Sequence, residues 1–406
     1  MKQKFLCILL LCLLCFFGCN KTEPPIENIP PSQTSEETLA PIELDPSMFE
    51  TRIRVVAAGD NIAHDSVVQT ARDDASGTEY DFSEIYAGIA DIVGNADIAF
   101  VNQEAPVAGK ELGIRGYPNF NAPEEMVEEL VDIGFDVFNI ANNHMLDKGA
   151  KGYQNTIAYF NSLPVTTIGG YTKNDYDHVR IVEKQGVKIA FLSYTTFVNS
   201  GHTGDLAAGG TYLIPYAKNA DITRQVGIAK ANADVVIASF HWGTENVFSV
   251  TAEQKKYAKL CADLGVDVVL GHHSHVVGGV EYLTGSGGNK TLVAYSLGNL
   301  CSTMLNSYNM VGEILSFDIV RDTDGTIRIE NALVDPVISH YKTDTSRKDN
   351  QNLHVRYASR VYLMRDYTAA LAKEHGAQNW GAFTLGTLKK YVTDTVSSEF
   401  LPEYMK

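Results

Sequence analysis

The sequence predicts an α/β layered fold with a largely parallel central sheet. From Arg52 onward, apolar runs of about four to eight residues alternate with helical stretches. The runs are continuously apolar, which is typical of strands buried on both faces. Five of them end directly in His, Asp, Glu or Asn, and the carboxyl edge of such a sheet is where α/β proteins build their sites.

Helices are predicted between these runs from their start signals and apolar periodicity. Proline near the start and two acidic residues in the first turn support a helix over Pro123–Ile133. The other predicted helices are Phe82–Val93, Gly149–Leu163, Tyr216–Ala231 and Thr251–Leu264. The two predicted antiparallel hairpins are Val179–Val182 with Lys188–Ser193, around Gln185-Gly186, and Glu313–Val320 with Thr326–Val334.

Residues 339–406 differ in composition from the rest of the chain. Residues 340–358 are polar, and Arg360–His375 and Phe383–Ser397 have the amphipathic pattern of helices. We therefore predict one domain over residues 51–338 that is followed by a C-terminal helical extension.

The N-terminus predicts membrane attachment. Lys2 and Lys4 precede the apolar run Phe5–Phe17, which is too short to span a bilayer and is typical of a signal peptide. Gly18-Cys19 follows and resembles a bacterial lipobox. We expect residues 1–19 to be a signal peptide with lipidation at Cys19, which would anchor the protein on the extracellular face of the cell membrane. An ordinary cleaved signal or an uncleaved anchor is the alternative.

Composition defines a tether and argues against two other classes. Residues 20–50 are rich in proline and acidic residues and predict a disordered tether. The formal net charge is −16 without any Lys/Arg-rich run, which argues against binding nucleic acid. Beyond the first 19 residues the sequence has two isolated cysteines, Cys261 and Cys301, which do not form a disulfide framework.

The first two polar clusters contain carboxylates. Asp60 ends the first apolar run, and His64 lies four residues later. Glu104 follows the second run together with Asn102. A carboxylate at a strand end can bridge cations or act as a general acid or base. A turn or helix cap for Asp60, a solvated Glu104 and a surface His64 are the alternatives.

The third cluster combines amide and imidazole groups. Asn142, Asn143 and His144 end the third run, with Asp147 shortly after. Amide oxygen and imidazole nitrogen are competent ligands for metals of intermediate softness. The alternative is an Asn-rich turn that opens a helix.

The fourth run ends in His241-Trp242, with Glu245 nearby. Trp242 suggests the wall of a pocket, and Glu245 is a candidate for orienting a ligand histidine. The alternative for His241 is a satisfied histidine in the core.

The fifth cluster is the strongest because His272, His273 and His275 fall within four positions. In an extended segment His273 and His275 point the same way, and neutral imidazole is the commonest metal ligand. The alternative is a His-rich loop. Ser296 and Asn299, at the end of a further strand, could add polar contacts.

Together the strand ends predict a mixed nitrogen and oxygen site for one or two divalent ions, with Mn, Fe or Zn preferred. Two such ions about 3.5–4 Å apart could activate water for hydrolysis. The predicted metal ligands are Asp60, Glu104, Asn143, His144, His241, His272, His273 and His275. The predicted catalytic residues are Asp60, Glu104 and His144.

The ordered motifs resemble the CapA family of bacterial capsule and poly-γ-glutamate synthesis proteins. They are Gly59-Asp60, Asn102-x-Glu104, Asn142-Asn143-His144-x-x-Asp147-x-Gly149, His241-Trp242-Gly243-x-Glu245, Gly271-His272-His273-x-His275 and Ser296-Leu297-Gly298-Asn299. The resemblance implies a layered β sandwich flanked by helices, similar to calcineurin-like metallophosphoesterases. It also implies a surface protein of poly-γ-glutamate synthesis or export, with that anionic polymer and membrane capsule-synthesis components as partners.

The motifs also depart from those of metallophosphoesterases. Asp60 and His64 are too far apart for the Asp-x-His of that group, Asn102-x-Glu104 stands where Gly-Asp is usual, and Met145 replaces an acid after His144. Metal binding tolerates these changes better than catalysis does, so enzymatic activity stays open. The alternatives are a dinuclear metal-dependent hydrolase, of phosphoesterase or amidase type and unrelated to capsule, and a non-catalytic polymer-binding module.

Overall fold

The computed structural model describes residues 50–199, 211–349 and 351–406. The predicted signal peptide, Cys19 and nearly all of the predicted tether lie outside the described residues. None of the described helices is long and apolar enough to cross a membrane.

The described strands and helices follow the predicted alternation over most of the chain. The strands are β1 (Thr51–Asn61), β2 (Ile98–Gln103), β3 (Val137–Asn139), β4 (Thr166–Ile168), β5 (Tyr171–Thr172), β6 (Arg180–Lys184), β7 (Val187–Thr195), β8 (Tyr212–Leu213), β9 (Val235–His241), β10 (Val268–His272), β11 (Val280–Thr284), β12 (Lys290–Ala294), β13 (Asn299–Cys301), β14 (Val311–Arg321), β15 (Ile327–Lys348) and β16 (His354–Leu363). The α-helices are α1 (Asp65–Asp74), α2 (Ser83–Tyr86), α3 (Ala90–Gly94), α4 (Glu124–Asp132), α5 (Gly149–Phe160), α6 (Asn219–Asn232), α7 (Ala252–Leu264), α8 (Ala369–Glu374) and α9 (Leu385–Thr393).

The strands of the described ranges form two large sheets. One has the order β16-β15-β14-β1-β2-β3-β4, with β13 also paired to β1, and the other has the order β11-β12-β10-β9-β7-β6. Strands β1 to β4 are parallel, as are β7, β9, β10 and β12. Strands β14, β15 and β16 of the first sheet and β6 and β11 of the second are antiparallel to their neighbours. A small two-stranded sheet pairs β5 with β8.

The two sheets pack face to face and are covered by helices. One apolar cluster joins residues of the first sheet, such as Phe100, to residues of the second, such as Phe191 and Leu270. The opposite face of each sheet packs on helices, as shown by Val101 with Met126. Because both faces are buried, the strands read as unbroken apolar runs. The predicted α/β layered sandwich flanked by helices is confirmed.

Helix boundaries agree best where the capping signal is strong. Thr251 and Gln254 form a reciprocal capping box at the start of α7, and Gly265 ends that helix in the left-handed conformation. The single helix predicted over Phe82–Val93 is wrong, because the segment forms the two short helices α2 and α3. Gly88 between them pairs with Tyr362, and a Cβ there would lie 2.3 Å from the carbonyl oxygen of Val361. This close approach to β16 interrupts the helical path.

The C-terminal prediction needs a larger correction. Strand β15 continues to Lys348, and β16 pairs with it up to Leu363, so the predicted helix over Arg360–His375 is wrong in its first part. The polar residues there belong to a long hairpin with partly exposed side chains, and the pairing of β15 with β16 overrides the local pattern. The helices α8 and α9 that follow are short. Leu388 and Val392 of α9 pack on the apolar core between the sheets.

Both predicted hairpins are present. Gln185 and Gly186 have φ of 50° and 75° and connect β6 to β7. Strands β14 and β15 form the second hairpin, whose turn contains Gly325 at φ 86°. Positive φ at these turn positions favours the residue types found there.

Candidate metal centre

Four of the predicted strand ends meet at one edge of the sandwich. Asp60 of β1 pairs with Asn102 of β2, and His241 of β9 pairs with His272 of β10. All four residues are completely buried. Because the strands within each pair are parallel, their carboxyl ends place these side chains together, as the sequence predicted.

Glu104, His273 and His275 form the tightest group of metal-ligating atoms. One ligand atom from each residue lies within 4.8 Å of the others, and all three residues are buried. Both carboxylate oxygens of Glu104 and Nδ1 of His273 have no hydrogen-bond partner among the described residues. Unpaired buried polar atoms are costly. A mixed carboxylate and imidazole set therefore fits a divalent ion such as Mn, Fe or Zn, which would satisfy these atoms.

His273 and His275 reach this position through an unexpected backbone. Strand β10 ends at His272, and His273 and His275 have φ of 93° and 55°. The expectation of an extended segment with period-two side chains is therefore wrong, although the two rings still face the same site with centroids 5.9 Å apart. Positive φ is uncommon outside glycine, and such strain is concentrated at functional sites.

Asp60 is the anionic centre around which these histidines are arranged. Its Oδ1 accepts a hydrogen bond from Nδ2 of Asn102 at 2.7 Å, and its Oδ2 accepts one from the backbone N–H of His273 at 3.1 Å. Nδ1 of His272 and Nδ1 of His275 each lie 3.3 Å from a carboxylate oxygen. Burial opposes ionisation, but these two histidines more than offset it and hold the pKa of Asp60 well below its ordinary value.

Burial and neighbouring charges also shift the pKa of the other ionisable groups. Burial raises the pKa of Glu104 well above its ordinary value and lowers the pKa of His273 to about 3. Burial also disfavours the charged form of His275, but Glu104 and Asp60 outweigh it and raise its pKa to about 10. Nε2 of His275 lies 3.6 Å from Oε1 of Glu104. Since metal ligands bind in their deprotonated forms, a bound cation would take the place of the proton in this cluster.

His241 joins the cluster from the neighbouring strand. Its Nε2 lies 2.9 Å from Oδ1 of Asn143 and 3.8 Å from Oε1 of Glu104. The rings of His241 and His273 have centroids 4.8 Å apart. Nδ1 of His241 has no partner among the described residues, which is consistent with the predicted role of His241 and Asn143 near an ion.

His144 occupies the side of the site formed by the loop after β3. Its Nδ1 lies 2.7 Å from Oδ2 of Asp147 and 3.2 Å from Nδ2 of Asn199. The same Asp147 oxygen accepts a hydrogen bond from the backbone N–H of Phe120 at 2.7 Å. Asp147 therefore fixes the orientation of the His144 ring, as a carboxylate does for a ligand or catalytic histidine.

Three predicted supporting residues hold the loops in place. Oδ1 of Asn299 lies 2.9 Å from Nδ1 of His275. Ser296 accepts a hydrogen bond from Ser274 at 2.8 Å, which ties down the turn that carries the histidines. Asn142 accepts a hydrogen bond from the backbone N–H of His144 and donates one to the carbonyl of Gln103.

Three other predicted residues have different surroundings from those expected. Trp242 is completely buried and stacks on Phe240 with centroids 4.5 Å apart, so it belongs to the apolar core instead of a pocket wall. The alternation of β9 turns it away from His241. His64 accepts a hydrogen bond from Thr303 and lies outside the tight group of ligand atoms. Glu245 is exposed and, in the described part of the chain, forms no hydrogen bond to a candidate ligand.

The sequence interpretation missed a buried polar chain behind Asp60. Nδ2 of Asn139 donates to Oδ1 of Asn102 at 2.7 Å, and the hydroxyl of Ser193 donates to Oδ1 of Asn139. This chain crosses from one sheet to the other and fixes the Asn102 amide that contacts Asp60. A single Asn inside the apolar run Val137–Ala141 was the available signal.

The chain matches a family of bacterial proteins over the segment that contains the site. Residues 54–304, more than half of the chain, match the family described as "Bacterial capsule synthesis protein PGA_cap". The chain belongs to this family. The matched segment contains every strand end described above, from Asp60 to Asn299.

The similar proteins include capsule proteins of two Bacillus species. The chain is 31% identical over 231 residues to "Capsule biosynthesis protein CapA" of Bacillus anthracis, covering 55% of this chain and 54% of that one. It is 33% identical over 184 residues to "PGA biosynthesis protein CapA" of Bacillus subtilis, covering 43% and 45%. The matches therefore span about half the length of these relatives.

Among solved structures, NAD nucleotidase (NadN) of Haemophilus influenzae is similar to the chain with a TM-score of 0.43 and 13% identity. The alignment covers 87% of this chain and 58% of the nucleotidase.

Proposed function

We propose that this protein acts in the synthesis or export of capsular poly-γ-glutamate and holds a divalent metal at the candidate metal centre. Membership of the capsule synthesis family and the names of the two Bacillus relatives support the pathway. The metal is proposed because Glu104, His273 and His275 form a buried group that contains unpaired oxygen and nitrogen atoms.

The proposed ligands differ in how directly they face the ion. Glu104, His273 and His275 would bind it directly, because their ligand atoms converge. The remaining proposed ligands surround this group and could complete its shell or hold a second ion; they are Asp60, Asn143, His144, His241 and His272. A bound Mn, Fe or Zn ion supplies a Lewis acid that polarises a carbonyl or phosphoryl group or acidifies water.

An anionic polymer requires positive charge at the site that binds it. The bound ion would supply this charge, since the chain itself carries a formal net charge of −16. We propose lipidation at Cys19 and attachment to the extracellular face of the cell membrane, so that the domain meets the polymer beside membrane capsule-synthesis components. The apolar run before Cys19 supports this arrangement.

A second candidate function is metal-dependent hydrolysis, of phosphoesterase or amidase type. The pair of His144 and Asp147 favours it, because a histidine held 2.7 Å from a carboxylate resembles the arrangement of a general acid or base. His144 is 7% exposed, slightly more than His273 and His275. Asp60 would stay ionised and orient the neighbouring histidines. A binding module without catalysis is the remaining alternative.

The decisive experiment compares the full-length wild-type chain with a His273→Ala/His275→Ala variant. We expect the wild-type protein to bind Mn, Fe or Zn after reconstitution, and the variant to lose the metal and to fail to restore surface polyglutamate in cells that lack the gene. His178→Ala is the matched control, because the His178 side chain is 79% exposed and lies outside the site. Wild-type protein without metal, or full restoration by the double variant, would contradict the proposal. Phosphodiester turnover that depends on His144 would favour the hydrolase.

A further inference from the structure

An open cavity of about 430 Å³ adjoins the candidate metal centre and has no role in the proposal above. Its wall includes His64, Tyr117, Met304, Leu305, Leu353 and Arg356. Most of this wall is apolar, and Arg356 is its cationic group.

Two walls of the cavity are linked to the metal centre through one intervening residue each. Sδ of Met304 lies 3.6 Å from Nδ2 of Asn299, whose Oδ1 lies 2.9 Å from Nδ1 of His275. On the other side, the ring of Phe120 lies between the rings of His64 and His144, with centroid distances of 5.6 and 4.7 Å. The cavity wall is therefore separated from the candidate ligands by one residue on each side, Asn299 and Phe120.

Arg356 is held rigidly and keeps donor capacity. Its side chain is 9% exposed. Nη1 donates to the carbonyl of Thr303 at 2.5 Å and Nη2 donates to Oδ2 of Asp349 at 3.1 Å, whereas Nε has no partner among the described residues. A guanidinium has five N–H donors, so these two contacts leave donors for a ligand. Asp349 is also shared with the backbone N–H groups of Gln351 and Leu353.

His64 provides a second donor on the same wall. The backbone N–H of Thr303 donates to Nδ1 of His64 at 3.3 Å, which places the ring proton on Nε2. Burial and the nearby Arg356 lower the pKa of His64 well below its ordinary value, so the ring is neutral. Thr303 thus holds both residues in place, because its carbonyl accepts a hydrogen bond from Arg356 and its N–H donates one to His64.

We propose that this cavity is a subsite that receives a free carboxylate of a glutamyl polymer next to the metal centre; this inference rests on the proposed function. The cavity offers groups that suit both the carboxylate and the methylene groups of a glutamyl unit. Arginine binds carboxylates with charge-assisted hydrogen bonds, and Met304, Leu305 and Leu353 suit the methylene groups of a γ-linked glutamyl unit. The histidine N–H adds a neutral donor that does not alter the charge of the site.

The test measures binding of γ-linked glutamyl oligomers to the full-length chain by titration calorimetry, with and without a chelator. We expect Arg356→Gln to weaken binding by about ten- to hundredfold, because hydrogen bonds to charged groups are lost. Arg347→Gln is the matched control, since the Arg347 side chain is 66% exposed and pairs with Asp344 outside the cavity. An oligomer with amidated carboxylates should bind wild-type protein as weakly as the charged oligomer binds Arg356→Gln.

A second variant separates lost binding from lost folding. Asn306 is exposed at the cavity, and Asn306→Asp adds a negative charge there without changing side-chain size. We expect it to weaken oligomer binding about three- to tenfold at low salt, as a like charge near the ligand does. Asn174→Asp, at an exposed turn away from the cavity wall, is its control.

Several results would overturn the inference. They are the absence of oligomer binding to wild-type protein, equal binding by Arg356→Gln, or equal binding of the amidated oligomer. The proposed function is judged separately, by metal content and polymer restoration with His273→Ala/His275→Ala. A protein that keeps its metal-dependent role but binds oligomers without Arg356 would contradict this inference alone.

Discussion

Buried histidines occur both in the candidate metal centre and in a C-terminal pair, His340 with His375, but the groups that they contact differ. In the C-terminal pair, Nδ1 of His340 lies 2.7 Å from the hydroxyl of Tyr367, and Nε2 of His375 lies 2.9 Å from the carbonyl of Ser339. The ring of His375 also stacks on Phe383 with centroids 3.8 Å apart. At the metal centre, by contrast, the histidines face buried carboxylates.

Burial lowers the pKa of histidines in both regions, so titration does not distinguish His273 of the metal centre from the C-terminal pair, although the pKa of His275 is raised. It lowers the pKa of His340 to about 4 and that of His375 to about 3, which equals the value for His273. The difference lies in which unpaired atoms meet. In the C-terminal pair His375 uses both ring nitrogens within the chain, and Nε2 of His340 is unpaired among the described residues. The metal centre instead brings the unpaired atoms of a histidine and a carboxylate, His273 and Glu104, together.

A second comparison is between two buried carboxyl groups, Glu313 and Glu104 of the metal centre. Like Glu104, it is buried and has no hydrogen-bond partner for either oxygen among the described residues. Burial raises the pKa of both carboxyl groups, but His275 opposes this effect at Glu104, while burial alone acts on Glu313. A buried histidine or a buried carboxylate alone is therefore not a candidate metal site, whereas the two together are one.

The largest expected effect concerns the C-terminal pair. We expect His340→Ala/His375→Ala to lower the free energy of unfolding by about 3–5 kcal/mol, because it removes packed rings and their hydrogen bonds. The metal content per folded protein should stay at the wild-type value. Denaturant unfolding and metal analysis measure the two quantities. Loss of metal from folded protein would remove the distinction between the two clusters.

A smaller effect is expected from the residue that orients His275. Asn299→Ala should weaken metal binding by about 10- to 100-fold without abolishing it, since partners that orient a ligand contribute this much. Competition with a chelating dye measures the affinity. Asn155→Ala on α5 is the control, because Asn155 contacts Ala108 and Glu111 instead of a candidate ligand. Unchanged affinity in Asn299→Ala would show that His275 is not a ligand held by this contact.

The smallest effect tests the isolated carboxyl group. Glu313→Met should raise the free energy of unfolding by about 1–3 kcal/mol at pH 7, because an unpaired buried polar group is removed. The folded-state pKa of Glu313 is raised above its ordinary value of 4.5. The folded protein therefore keeps a proton that the unfolded chain releases as the pH rises through that value.

The gain from Glu313→Met should accordingly shrink as the pH falls towards 4.5. Urea unfolding at several pH values measures it. The exposed Glu253→Met, in the first turn of α7, should show no such trend. If the increase in the free energy of unfolding did not change with pH, the pKa of Glu313 would be the same in the folded and unfolded states, which would require a partner for its carboxyl group in the folded protein.

The sequence was most informative where a pattern repeats. Five apolar runs that end in polar residues predicted the parallel strands and the convergence of Asp60 and Glu104 with the histidines, because parallel strands bring their ends to one edge. The side-chain directions were less predictable. Trp242 was expected in a pocket, but one step of strand alternation places it on the opposite face from His241.

Long-range pairing explains the remaining errors. Residues 340–358 look like a polar linker when read locally, yet β15 extends to Lys348 and pairs there with β16, which begins at His354. The positive φ of His273 and His275 has no local signature either, since neither residue is glycine. That conformation is imposed by contacts with Asp60 and the Ser274–Ser296 hydrogen bond, which come from distant parts of the chain.

The contact between the backbone of His273 and the carboxylate of Asp60 joins residues 213 positions apart. Closing so long a loop costs chain entropy before the contact forms, so the contact exists only once the domain as a whole has folded. The proposed metal would therefore be bound by the folded domain and would stabilise it.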